Sequence, residues 1–350
     1  MKTLKVLAEL RKHQILLALN GDNLVVKGRK EALKDKALLE GLRHNKPKII
    51  KMIKKGLYCE QTGRFDYSTL PTGSHSLDVA SLPLVDLSEE EQSLLLHAIP
   101  GGAENIEDIY PLSPLQEGLL YHHITAQGGD AYLIHSTFII EDETQLAQFE
   151  NALNFAIQRH TILRSSIHWQ GLSQAVQVVW REAPVAAENC STVVAGEDTL
   201  AQLTSHFCSS GYRLKLEQAP LIKLHWCRDN REGHIVAMLI FHHIIMDHLA
   251  LDLLQQEMQA WLRNETEQLP VSLPYRDYVM HSRLGIDEQA QIAFFRERLA
   301  DVCEPTLPLG LQEVHGDGSL TAEARHSLSP EFSLRLRACA RHLGVSPASL

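Results

Sequence analysis

Near the middle of the chain, residues 235–241 form an uninterrupted run of apolar side chains. The run has strand length and no alternation of apolar and polar positions, so it predicts a strand covered on both faces. Asp247 stands shortly after it, where a carboxylate can cap the start of a helix. A single apolar helical face follows, and its members are Leu251, Leu254, Met258, Trp261 and Leu262. This stretch predicts a buried strand, a short connection and an amphipathic helix.

Similar patterns predict a mixture of helices and strands from about residue 106 onward. Strands are predicted over residues 132–140, 163–169, 175–180 and 221–226, and helices over residues 145–159 and 199–208. The mixture indicates the α/β class. Ser88 and Glu91 have the spacing of a capping box, which predicts a short helix before Pro100.

The first 56 residues have a pattern of their own. It predicts a helix, then two short strands joined at Asn20-Gly21-Asp22, then helices over residues 32–42 and 48–55. Pro47 suits the first turn of the last helix, which gives an αββαα order. Residues 57–87 have turn residues in place of periodicity, so they are interpreted as a linker.

Charge separates these parts of the chain. Residues 1–56 carry 15 Lys and Arg against 5 Asp and Glu, whereas the remaining residues carry 18 against 38. Few aromatic side chains are available for stacking, so a solvated basic face or a site for an acidic peptide is favoured over nucleic-acid binding. The sequence pattern predicts no membrane span and no signal peptide. Six widely spaced cysteines favour reduced thiols in the cytoplasm.

Candidate chemistry centres on His242 and His243, which directly follow the predicted buried strand. An imidazole at a strand end, near the carboxylate of Asp247, is suited to act as a base with an orienting group. The alternative is a chance pair, since the chain holds 19 histidines and a second pair at His122 and His123. A metal site is disfavoured because no third ligand stands at a helical spacing.

Four stretches resemble the core motifs of nonribosomal peptide condensation domains. They are YPLSPLQEG at residues 110–118, RHTILR at 159–164, HHIIMD at 242–247 and YRDY at 275–278. Each is weak alone, but the four in order are specific. The resemblance covers residues 88–350 and implies a fold like that of chloramphenicol acetyltransferase. The N-lobe would span about residues 106–275, with the start of a C-lobe after it.

Condensation domains join two thioesters, each carried on the phosphopantetheine arm of a partner carrier domain, through a peptide bond. The resemblance implies that no cofactor is bound directly and that His243 holds the proton of the attacking amine. It also implies that His242 packs, and that Asp247 pairs with Arg164 as a structural support. Much of the rate can come from positioning the two tethered reactants. The usual glycine after the aspartate is His248 here, which implies an ordinary backbone conformation and extra bulk beside the substrate tunnel that such domains form between their two lobes.

A second histidine motif, HHITAQGGD at residues 122–130, fits the pattern associated with dual epimerisation and condensation domains. Such domains invert the donor Cα before coupling, which requires a base near the donor and hydrogen-bond donors for the enolate oxygen. His122 and His123 are candidates to shape that part of the site. The alternatives are a plain condensation domain for a D-configured donor, and two polar residues at a helix end.

The basic N-terminal part resembles the TubC-type docking domain of the same synthetases. The resemblance implies that Leu24, Val25, Val26 and Lys27 receive the C-terminal tail of an upstream synthetase subunit. Two other interpretations stay open: an interaction module with an inactive condensation part, and an acyl-CoA acyltransferase of the same fold. A condensation domain has a second lobe of comparable size, so we expect residues 1–350 alone to be poorly active.

Overall fold

The computed structural model describes residues 3–21, 23–28, 34–54, 58–59, 64–65, 84–126, 128–190, 198–207, 211–229, 231–285, 288–307, 310, 324 and 326–350. The chain divides into two compact units, Met1–Val314 and His315–Leu350. Across the described ranges, no helix combines the length and the apolar character that crossing a bilayer requires. The four cysteines whose side chains are described are free thiols: Cys190, Cys227, Cys303 and Cys339.

The N-terminal elements are α1 (Thr3–Lys12), β1 (Leu16–Asn20), β2 (Asn23–Lys27) and α2 (Lys36–Lys54). The two strands pair antiparallel, with Leu16 opposite Lys27. Gly21 has a φ of +60° in the turn between them, a conformation that glycine adopts without the strain of a side chain. The predicted hairpin is confirmed, although Asp22 of its turn lies outside the described residues.

The predicted helix break before Pro47 is wrong, and the order αββαα is therefore wrong as well. α2 runs through Pro47 as a single helix of 19 residues. A proline in a helix interior costs about 3 kcal/mol. The buried stripe of Leu38, Leu42, Ile49 and Met52 continues across the proline at helical spacing, and burial of these side chains offsets the cost. The observed order is αββα.

Most of the predicted linker, residues 57–87, lies outside the described residues, apart from the short strands β3 (Tyr58–Cys59) and β4 (Arg64–Phe65). At its end, Asp86 accepts a hydrogen bond from the Thr3 backbone (2.8 Å) and forms an ion pair with Lys48. One hydrophobic cluster joins the N-terminal elements to later segments, and it includes Val6, Ile49, Tyr110, Val179 and Met280. The N-terminal elements thus pack against later elements of the unit Met1–Val314. The domain boundaries stay a prediction.

The remaining elements of the first unit are α3 (Glu89–Ala98), β5 (Ile106–Pro111), α4 (Pro114–Thr125), β6 (Leu133–Ile140), α5 (Glu143–Arg159), β7 (Ser165–His168), β8 (Val176–Trp180), β9 (Ala187–Asn189), α6 (Thr199–Phe207), β10 (Ile222–Arg228), β11 (Ile235–His242), α7 (His248–Leu262), α8 (Tyr275–Met280) and α9 (Glu288–Arg298). The second unit contains α10 (Pro330–Leu343). This mixture confirms the α/β class. The strand predicted over residues 163–169 is shorter, because a 3-10 turn at Thr161–Arg164 occupies its start.

Capping side chains begin two of these helices. The predicted box of Ser88 and Glu91 starts α3, and a second box, of Ser113 and Gln116, starts α4. In each box the serine hydroxyl oxygen accepts a hydrogen bond from a backbone N–H of the first helical turn that has no partner within the helix. In return, the backbone N–H of the serine donates to the side chain of Glu91 or Gln116. Because its capping residue Ser113 comes two positions after the end of β5, α4 begins directly after that strand.

Two sheets form the centre of the unit. One has the order β5-β8-β7, and the other has the order β6-β11-β10-β9, with β9 parallel to β10 and the other pairs antiparallel. Every residue of β11 is buried.

The burial of β11 explains its unbroken apolar run. Ile235, Ala237, Leu239 and Phe241 belong to the cluster that also contains Leu254 of α7. The alternate residues, Val236, Met238 and Ile240, pack with Leu203 and Phe207 of α6. Because both faces meet apolar side chains, no position along the strand favours a polar residue. The predicted strand, covered on both faces, is confirmed. On α7, Leu262 is instead exposed.

Candidate active site

The two histidine pairs of the sequence come together at one end of the second sheet. His122 and His123 lie in the last turn of α4, while His242 ends β11 and His243 follows it. In the antiparallel register of β6 and β11, Leu133 lies opposite His242. The residues just before β6 are therefore brought beside the end of β11, and Asp130 is among them.

Asp130 links the two pairs. Nδ1–H of His123 donates to its Oδ2 (2.6 Å), and Nε2–H of His242 donates to the same oxygen (3.1 Å). The backbone N–H of Tyr132 donates to Oδ1 (3.0 Å). Burial acts to raise the pKa of this carboxyl, but the hydrogen bonds from the two imidazoles and from Tyr132 outweigh burial and hold the pKa well below its usual range. Asp130 is therefore a buried anion with three donors.

His242 is fully buried, and both of its nitrogens are engaged. The backbone N–H of Ile244 donates to Nδ1 (3.0 Å), so the proton of the neutral ring lies on Nε2 and points at Asp130. Burial lowers the pKa of His242 from its ordinary value, although the contacts with Asp130 oppose this shift. With both nitrogens engaged, His242 has no lone pair to offer to a substrate.

His243 is half-buried, and within the described residues nothing hydrogen-bonds its Nε2. Its backbone N–H donates to the Tyr132 carbonyl (2.8 Å), and its Nδ1–H donates to the Met246 carbonyl (2.9 Å). A carbonyl only accepts, so the proton is on Nδ1 and Nε2 carries the lone pair. The ring of Tyr132 stacks on His243, with centroids 6.5 Å apart and an angle of 26° between the planes. The ring of His243 is thus oriented by its contacts, with an Nε2 that can accept a proton.

His122 and His123, the pair on α4, also differ from each other in burial. His123 is buried and holds Asp130, whereas His122 is exposed. The ring centroid of His122 lies 5.8 Å from that of Tyr132. The two more exposed rings, His122 and His243, thus both lie near the ring of Tyr132, and the two buried rings both bond Asp130.

The predicted pairing of Asp247 with Arg164 is wrong. Asp247 is exposed and caps α7 by accepting the Ala250 N–H (2.8 Å). Arg164 is buried and forms an ion pair with Glu107 (2.8 Å). A buried guanidinium needs an acceptor at its own depth, whereas an exposed carboxylate at a helix start is satisfied by the backbone beside it. His248 is exposed as the first residue of α7.

The first motif contributes a residue that the sequence analysis did not single out. Gln116 is 2% exposed, and its Nε2 donates to the Ile244 carbonyl (3.1 Å), in the turn that carries His243. Gln177 of β8 donates to Gln116 Oε1 (3.0 Å). A buried amide in an apolar setting requires such partners. The motif therefore ties α4 to the turn after β11.

The second and fourth motifs have similar structural contacts. His160 Nε2 lies 2.7 Å from Glu257 Oε2, which joins the end of α5 to α7. Arg276 of α8 forms an ion pair with Asp108 of β5. These contacts hold the elements around the site, and neither reaches His243.

A metal site at this cluster is chemically disfavoured, although the third ligand that the sequence analysis did not find is present. Donor atoms of His123, Asp130 and His242 lie within 4.8 Å of one another. A metal at Nε2 of His242 would require the proton to move to Nδ1, where the Ile244 N–H already points. The tautomer therefore favours a hydrogen-bonded cluster over a metal centre.

The predicted docking residues lie on β2. Leu24, Val25 and Val26 are half-buried and Lys27 is exposed. Within the described residues, β2 pairs with β1 alone. Its other edge is therefore a candidate surface for an added strand.

The sequence matches the condensation-domain family over residues 106–350. Malpinin synthetase and malpibaldin synthetase of Mortierella alpina are 38% and 36% identical over 77% of this chain. The chain spans only 4% and 5% of those two proteins. Tyrocidine synthase 3 of Brevibacillus parabrevis is 29% identical over 50% of this chain and 3% of that protein. Among solved structures, the EpoB cyclization-docking bidomain of Sorangium cellulosum matches 98% of this chain and 62% of its own chain, with 19% identity and a TM-score of 0.49.

Proposed function

This chain belongs to the condensation-domain family of nonribosomal peptide synthetases, and we propose that it forms a peptide bond between two thioesters at His243. The observation that carries the proposal is the lone pair on Nε2 of His243, which the Nδ1–H bond to the Met246 carbonyl leaves available. Donor and acceptor are proposed to arrive on the phosphopantetheine arms of two carrier domains, in a fold like that of chloramphenicol acetyltransferase. No directly bound cofactor takes part in this proposal.

The proposed reaction transfers one acyl group and one proton. The acceptor amine attacks the donor carbonyl carbon, the new N–C bond forms, and the C–S bond breaks. Nε2 of His243 accepts the proton from the attacking nitrogen and returns it to the leaving sulfur. Tethering both reactants on carrier arms adds the advantage of proximity. Tyr132, stacked on the ring, keeps Nε2 pointed in one direction.

Substitution of His243 by alanine in the intact condensation domain tests this role. The probes are L-aminoacyl thioesters loaded on carrier domains, screened as a panel, with the most productive pair used throughout. We expect His243→Ala to lower single-turnover peptide formation by about 10²- to 10⁴-fold, the range for a general base. The matched control is His97→Ala, an exposed histidine in α3. A normal rate in His243→Ala would remove the residue from the mechanism. Turnover of free acyl-CoA in place of the carrier-bound donor would favour the acyltransferase alternative.

We further propose that the donor residue is epimerised before it is coupled. Support comes from the full match of residues 122–130 to the dual-domain pattern, and from the bonds that Asp130 of this motif makes to His123 and His242. Removal of the donor α-proton requires a base near the thioester, and His243 can serve both half-reactions. In deuterated water with an L-configured donor, we expect deuterium at the donor Cα of the product. Coupling of a D-configured donor without deuterium uptake would leave the plain condensation alternative.

We propose that the edge of β2 binds the acidic C-terminal tail of an upstream synthetase subunit. The basic charge of residues 1–56 and the single pairing of β2 support this. Titration of the full chain with an acidic 15-residue peptide should shift the backbone amide signals of residues 24–27. The control is a peptide of equal length with lysine at the acidic positions. Equal shifts with both peptides, or shifts confined to other residues, would contradict docking at this edge.

A further inference from the structure

Asp130 is the meeting point of two separate hydrogen-bond routes that lead to His243. One route passes through His242, whose Nε2–H donates to Asp130 and whose Nδ1 accepts the Ile244 N–H. That bond shapes the turn that carries His243. The side chain of Asp130 is 1% exposed, so these bonds form away from water and are strengthened by the low local polarity.

The other route passes through Tyr132. Its backbone N–H donates to Asp130 Oδ1 (3.0 Å), and its carbonyl accepts the His243 N–H (2.8 Å). The same residue stacks its ring on that of His243. Asp130 thus holds the residue before the base and also the residue packed over it.

The contacts require a carboxylate rather than any side chain of that shape. Oδ2 accepts two imidazole N–H groups and Oδ1 accepts a backbone N–H. An amide has one accepting and one donating end, so in either orientation its NH2 faces an N–H group. His242 cannot relieve the clash by moving its proton, because the Ile244 N–H occupies Nδ1.

We propose that Asp130, as a buried anion, is a positioning residue that couples the two histidine pairs and sets the direction of His243 Nε2. The proposal rests on the proposed function, since it assigns a support to the base of that reaction. Asp130 itself touches neither thioester. Its effect on the rate is exerted through His242 and Tyr132.

Asp130→Asn in the intact condensation domain is the central test, with Asp142→Asn as the matched control. Asp142 is the N-cap of α5, a position where Asp and Asn are nearly equivalent. With the carrier-bound aminoacyl pair used for His243, we expect kcat in Asp130→Asn to fall by about 10²-fold, the effect of a small misplacement of a catalytic group. We expect KM to stay within about threefold and the pH dependence of kcat to shift, whereas the control keeps wild-type values.

Imidazole nitrogen NMR of the wild-type chain provides a test that does not depend on the folding of any variant. We expect His242 to be protonated on Nε2 alone and His243 on Nδ1 alone at neutral pH, and the His243 signal to broaden or change tautomer in Asp130→Asn. Protonation of His242 on Nδ1, or a folded Asp130→Asn with wild-type kcat and pH dependence, would overturn the proposal. His243→Ala in the same assay distinguishes failure of the Asp130 proposal from failure of the proposed function. If it too is fully active, the proposed function fails; if it alone is inactive, only the role of Asp130 fails.

Discussion

The two histidine pairs of this chain have the same dipeptide sequence but stand on different elements. His122 and His123 lie in the last turn of a helix, where successive side chains point about 100° apart. His242 is the last residue of strand β11, and His243 is the first residue of the turn that follows. Each element therefore turns one ring inward and leaves the other closer to solvent. The inward rings share Asp130, and the outward rings both lie near the ring of Tyr132.

The difference between inward and outward rings matches the division into structural and chemical roles that we propose. His242 is held by a donor and an acceptor, so the tautomer of its neutral ring is fixed. His243 is anchored through one nitrogen and keeps the other available. Adjacent residues of one motif thus differ in role because of which atoms their surroundings occupy. The following predictions test that separation, from the largest expected effect to the smallest.

Removal of an inward ring should affect stability more than removal of its outward neighbour. His242→Ala leaves Asp130 with one imidazole fewer at a buried position, so we expect the free energy of unfolding to fall by about 3 kcal/mol or more. His243→Ala should change it by about 1 kcal/mol or less. Urea unfolding followed by tryptophan fluorescence measures both. Equal losses in the two variants would contradict the division of roles.

Mild acid should destabilise the folded chain through two buried imidazoles, those of His242 and His168. The pKa of His242 is lowered by burial, and burial also lowers the pKa of His168, on β7, to about 4. Below pH 6.5 these two imidazoles take up protons in the unfolded chain but stay neutral in the folded chain. The free energy of unfolding is therefore at its full value above pH 6.5 and falls as the pH drops toward 4. His168→Gln should reduce this loss, as measured by unfolding at pH 7.5 and 4.5. An unchanged difference between the two pH values would argue against a neutral His168.

The smallest effect is expected at His122. Its ring is exposed, so His122→Ala should change the free energy of unfolding by at most about 0.5 kcal/mol. If the ring shapes the donor side of the site, deuterium uptake at the donor Cα should fall while coupling of a D-configured donor continues. Equal losses in both assays would instead place His122 in the condensation step itself.

Local pattern was enough to predict much of this molecule from its sequence. The unbroken apolar run of β11, the hairpin at Gly21 and the capping box of Ser88 depend on a few neighbouring residues, and each is observed. The arrival of His242 and His243 at the end of a buried strand also follows from chain order alone. Periodicity and capping are properties of short segments, so the sequence contains the information needed to predict them.

Only the tertiary structure decided which atoms meet at the site. Asp130 and His242 are 112 positions apart, and the register between β6 and β11 brings them together. The same long-range packing pairs Arg164 with Glu107 in place of Asp247. It also keeps α2 continuous through Pro47, because apolar side chains on both sides of the proline are buried. The partner of a buried polar group is the group that packing brings within hydrogen-bond distance at the same depth and in a suitable orientation. The sequence therefore identified the histidines, while packing determined which of them keeps a free nitrogen.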